Sequence, residues 1–94
     1  MAEKRGLLTP ETAEIVAVEA LAWLAEQPEA LGRFLAVTGI GPAMLRSAAS
    51  EPGFLRGVLD YFASDDALLI ACANGAGIPA ERIATARRVL NGHD

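Results

Sequence analysis

Apolar residues recur along the chain at helical spacing, and proline or glycine interrupts nearly every run. From Pro10 to about Glu26, a step of about 100° per residue gathers Ala13, Val16, Ala17, Ala20, Leu21, Trp23 and Leu24 on one broad face. Glu11, Glu14, Glu19 and Glu26 lie opposite, with Ile15, Val18 and Ala22 among them. Thr9 offers an N-cap and Pro10 a first-turn residue for this helix. Pro28 restarts the chain as a second helix with Leu31, Phe34 and Leu35 on its buried face. Gly32 within it is costly to a helix and implies a close crossing.

Gly39 stands where a left-handed residue closes that helix, Ile40 where a Schellman closure places its apolar contact, and Pro42 where a new helix starts. Pro42 to Ala49 reads as a short third helix with Met44, Leu45 and Ala48 turned to the core. Ser50 as cap and Pro52 in the first turn open a fourth, in which Phe54, Leu55, Val58, Leu59 and Phe62 repeat at helical spacing. Ser64, Asp65 and Asp66 open a fifth whose Leu68, Leu69, Ile70 and Cys72 are apolar almost all round, which places it centrally. Gly75 and Gly77 end it, Pro79 starts the last helix with Ile83, Ala86, Val89 and Leu90 inward, and Asn91 and Gly92 close that one.

The expectation is an all-α fold: a compact bundle of five or six short helices in orthogonal or irregular packing, organised around the hinge within Phe34 to Ala49. Its core is expected to hold Phe34, Leu35, Leu45, Leu55, Leu59, Phe62, Leu69 and Ile83. Residues 1–8 are read as a flexible segment, 9–92 as one domain and 93–94 as a tail. Pro28, Leu31, Leu35, Ala43, Met44 and Leu45 echo Pro52, Leu55, Leu59, Ala67, Leu68 and Leu69 at constant offset, which any proline-started amphipathic helix would also do.

Charge narrows the function classes. Eight cations against twelve carboxylates leave a net charge of −4, which opposes any role that needs a long track of phosphate contacts. The charge is also uneven, with five glutamates from Glu11 to Glu29 uninterrupted by a cation and Arg82, Arg87 and Arg88 near the other end. Complementary packing of the first and last helices would use that asymmetry. Cys72 has no partner for a disulfide, as suits a reducing cytoplasm, and neither a signal-peptide core nor a membrane span is present in the pattern.

Catalytic chemistry has few residues to draw on. His93 is the one imidazole and Cys72 the one thiol, set in the most apolar helix, where desolvation opposes the thiolate. Asp60, Asp65 and Asp66 form the one carboxylate cluster, but Asp65 and Asp66 sit at a helix start, where capping is the simpler role. No cofactor, metal site or enzymatic activity is expected. Trp23 and Tyr61 are isolated and read as core or boundary aromatics.

Two resemblances add to this reading. Gly39, Ile40 and Gly41 resemble the loop of the helix-hairpin-helix family, which implies contact of loop amides with a DNA backbone, with Arg46 and Arg33 reaching adjacent phosphates. Over nearly everything after Thr9, including ALAWLAEQPEALGRFLAVTGIGPAMLR and FLRGVLDYFASDDALLIACA, the chain is similar to a family of small bacterial proteins known as domain of unknown function 3572. That similarity implies a compact helical fold and no particular activity.

Two functional expectations follow. In the first, the chain is a non-enzymatic interaction module whose surface includes Ile15, Val18 and Ala22, facing a protein partner or a second copy. In the second, Gly39, Ile40, Gly41 and Arg46 make weak, non-specific contacts to nucleic acid. Neither involves a membrane.

Overall fold

The computed structural model describes residues 8–92. Among them are six α-helices: α1 (Pro10–Ala25), α2 (Pro28–Thr38), α3 (Leu45–Ala48), α4 (Pro52–Ala63), α5 (Asp66–Ala76) and α6 (Ala80–Leu90). A 3-10 turn, Pro42–Met44, leads into α3, and the described residues contain no strand. The expected tail 93–94 and the segment 1–8, apart from Leu8, lie outside the described residues. Leu8 itself is half-buried and packs against the core.

Local signals set the helix ends. Thr9 caps α1, its Oγ1 accepting from the Thr12 N–H at 3.1 Å, and Pro10 takes the first turn. Asp65 caps α5 through a 3.1 Å bond from the Leu68 N–H to Oδ1. Ser50 does not cap α4: its hydroxyl donates back to the Ser47 carbonyl at 2.9 Å, and Glu51 occupies the cap position without a side-chain bond.

Gly39 closes α2 in the left-handed region (φ 75°), but by the single bond from its N–H to the Leu35 carbonyl at 2.8 Å. The Ile40 N–H turns instead to Thr38 Oγ1 at 3.4 Å. The Schellman closure expected there occurs at Gly77 (φ 71°), where the Ile78 N–H reaches the Ala73 carbonyl at 3.1 Å and the Ile78 side chain is buried. Gly75 lies inside α5 rather than at its end.

The hub is α1, which packs against α2, α4, α5 and α6, with α6 as its most extensive neighbour. The hinge is peripheral, and Val37, Gly39, Gly41, Ala43 and Met44 are exposed. Ala13, Ala17 and Ala20 on α1 and Ala86 on α6 are fully buried, and small side chains let two helix axes approach closely. The acidic first helix and the basic last helix thus pack together, but among the described residues no ion pair joins them: Arg87 Nε pairs instead with Asp60 Oδ1 of α4 at 2.7 Å.

Phe34, Leu55, Leu59, Phe62 and Ile83 are buried as expected. Leu35, Leu45 and Leu69 are only half-buried, packed on the edge of the core. A run of aromatic contacts joins α1, α2 and α4. Trp23 lies 6.2 Å from Phe62, Tyr61 is 6.4 Å from Phe62 and 5.0 Å from Phe34, and Phe34 is 5.9 Å from Phe54, between ring centroids. The two residues read as isolated aromatics are thus members of one cluster.

The fifth helix is not central. It buries Leu68 and Cys72, while Ala67, Ala71 and Asn74 face outward and Ile70 is 56% exposed. Four of its eleven residues are alanines, which raise apolar content without presenting enough area to demand burial on every side. The echo between Pro28–Leu45 and Pro52–Leu69 does not extend to structure, since a 3-10 turn and a four-residue helix stand where α5 stands in the second unit.

Candidate functional site: an apolar groove along the first helix

The outward face of α1 keeps an apolar stripe. Ile15 is 56% and Val18 42% exposed, and Ala22 is open to solvent. Spacings of three and four residues align Ile15, Val18, Ala22 and Ala25 along one side of the helix. Sequence allowed either neighbours on both sides of this helix or an uncovered stripe, and among the described residues nothing covers the stripe.

It opens into a groove of about 510 Å³. Val18, Ala22 and Ala25 form one wall, and Leu45, Arg46 and Ala49 form the other, with the buried Leu21 beneath. The second wall exists because Gly39 ends α2 and the short elements from Pro42 bring Leu45, Arg46 and Ala49 to the side of the groove facing α1. Leu45 and Ala49, at i and i+4, are half-buried because one side of each meets the core while the other lines the groove.

Val18, Ala22 and Arg46, taken from two competing expectations, therefore border one cleft. Ile15 extends the stripe beyond it. Sequence reasoning missed Ala25, Leu45 and Ala49, and the i, i+4 spacing of Leu45 and Ala49 was the available signal, because it marks one apolar face on too short a helix to be fully covered.

The glycine loop lies farther along the same segment. The Gly39 and Ile40 N–H groups are engaged within the chain, at 2.8 Å and 3.4 Å, and the Gly41 carbonyl accepts from the Met44 N–H at 3.0 Å. A 3-10 turn and the four residues of α3 follow, too short to build the dipole of a full helix. Arg33 lies on a different cleft, between α1, α2 and α5, with Trp23 and Leu68.

A family model described as "Protein of unknown function (DUF3572)" matches residues 10–93. The chain belongs to that family. The match spans α1 to α6 and includes both walls of the groove. No curated protein and no solved structure matches the chain.

The remaining reactive groups have structural employment in this fold. Cys72 is fully buried, and burial pushes its thiol up from 9.0 to about 11. Asp60 accepts from Arg87 Nε at 2.7 Å and Asn91 Nδ2 at 3.3 Å, tying the end of α6 to α4. Asp65 caps α5, so the two carboxylates serve different elements; among the described residues no three His, Cys, Asp or Glu side chains group as a metal site. Among those residues, too, no helix is long and apolar enough to cross a membrane.

Proposed function

We propose that this chain is a small non-enzymatic protein-interaction module, acting in the reducing cytoplasm, whose partner docks on the α1 stripe and the groove beside it. The uncovered run of Ile15, Val18 and Ala22 leading into that apolar cleft carries the reading. A helix that buries Ala13, Val16, Ala17, Ala20, Leu21 and Leu24 on one side has already supplied the fold's core. Its opposite apolar residues, Ile15, Val18 and Ala22, stay open to solvent, and a helix laid in a groove recognises such a surface through anchors at i, i+3 and i+7. The non-enzymatic part is supported by the high thiol pKa of Cys72 and by the capping and ion-pair roles of Asp65 and Asp60.

The test is capture of a partner on immobilised wild-type chain, followed by titration of the purified partner against wild type and Val18→Glu. Val18 is 42% exposed, so the variant should keep its helical circular dichroism and melting temperature. Loss of binding with the fold intact is expected. Equal affinity for both proteins contradicts the proposal. Salt-sensitive binding of random duplex DNA, abolished by Arg46→Glu, would instead support the nucleic-acid role of Gly39, Ile40, Gly41 and Arg46.

A further inference from the structure

The borders of the stripe carry charge of one sign. Glu11 and Glu19 on α1 and Glu26 at its C-cap are exposed and Glu14 is half-exposed, while the chain contains no Lys or Arg from Gly6 to Gly32. The described ion pair joins Arg87 of α6 to Asp60 of α4, so no described cation stands within pairing distance of these glutamates. On the helical wheel Glu19 and Glu26 edge the stripe on the side away from α3, and Glu11 and Glu14 border its N-terminal half. Across the groove the charge reverses at Arg46.

A partner that covers Ile15, Val18 and Ala22 brings its own flanks beside Glu19 and Glu26 and takes water from them. Apolar flanks leave those carboxylates desolvated without compensation, neutral donors replace their water without attracting the charge, and acidic flanks repel them. Basic flanks alone improve the contact. A second copy paired antiparallel through α1 fits poorly, because that two-fold sets the glutamate edge of one copy against the glutamate edge of the other. The chain's own basic helix does not serve either: α6 exposes Arg82 and Arg88, but its Val89 and Leu90 are half-buried against the core.

We infer that the groove receives an amphipathic helix of another protein, with a ridge of small or medium aliphatic residues bordered by Lys or Arg on the α1 side and an acidic residue facing Arg46. The stripe from Ile15 to Ala25 is about 15 Å long at 1.5 Å per residue, or three turns of such a helix. The inference rests on the proposed docking function and specifies its partner.

Fluorescence anisotropy with labelled designed peptides tests it. One 18-residue peptide carries a Leu/Ala ridge with Lys flanks, a second the same ridge with Glu flanks, and a third the composition of the first in an order that destroys the ridge. The Lys-flanked peptide should bind wild type about tenfold more tightly than either of the others, with affinity falling as salt rises. Glu19→Lys combined with Glu26→Lys should reverse the preference, and Val18→Asn should weaken the best complex severalfold. Equal binding of Lys- and Glu-flanked peptides, both lost in Val18→Asn, overturns the basic-helix inference and leaves the docking groove standing. Binding that ignores Val18→Asn, or no binding by any peptide, overturns the inference and removes support from the groove as well.

Discussion

The indole of Trp23 rests on the bare backbone of Gly75. A Cβ at position 75 would overlap Trp23 Nε1 and lie 2.9 Å from Cδ1 and 3.1 Å from Cε2, so α1 and α5 cross at a point that excludes any side chain. This crossing sets the C-terminal half of α1 against α5.

Gly75→Ala should therefore destabilise the fold by about 1–3 kcal/mol even though alanine is the better helix former. In a double-mutant cycle, Trp23→Leu should recover part of that loss, because the ring is what the methyl group meets. Urea denaturation followed by circular dichroism gives both values, and additive effects would show that the two residues do not share a contact.

Gly32 behaves oppositely. A Cβ there meets nothing within 4 Å, so the close crossing expected at Gly32 is absent and lies at Gly75 instead. Gly32→Ala should raise stability by roughly 0.5–1 kcal/mol, through helix propensity and a more restricted unfolded chain. The same urea titration reads it as a higher midpoint at unchanged slope.

Much of the fold was legible because its signals are local. Thr9 with Pro10, Asp65, Gly39 and Gly77 act within a turn of themselves, and the inner face of α1 follows from its own periodicity. Which neighbours those faces meet is not local information. An apolar α5 looked central because alanines count as apolar in a pattern while Ile70 remains open, and Gly32 and Gly75 differ only in what another helix places against them. The stripe of Ile15, Val18 and Ala22 could be read from α1 alone. Its second wall could not, because Leu45 and Ala49 become a wall only when the chain beyond Gly39 brings them beside α1.

Cys72 links burial to pH. Below pH 9 the thiol is protonated in both folded and unfolded chains and stability does not depend on it. Between 9.0 and about 11 the unfolded chain gives up this proton while the folded chain retains it, so stability falls as pH rises, by about 2–3 kcal/mol for this group across the window. Cys72→Ala should show a shallower alkaline loss in urea titrations at pH 8 to 11. At pH 8 a thiol reagent should label wild type no faster than the chain unfolds.

Asp65→Ala removes the cap of α5 and should lower stability by about 1 kcal/mol in urea titrations. Asp60→Asn should cost about 0–1 kcal/mol, since the Asp60 and Arg87 side chains are nearly half exposed and water screens their attraction. A larger loss for Asp60→Asn than for Asp65→Ala would reverse the ranking these environments imply.

The most direct test of the docking surface is an NMR titration of the ¹⁵N-labelled chain with the partner purified through it. Amide shifts should concentrate on residues 15–26 and 42–49 and disappear in Val18→Glu. Shifts confined to the outward face of α5, around Ala67, Ile70 and Asn74, with residues 15–26 unmoved, would contradict the assignment of the partner to the α1 groove.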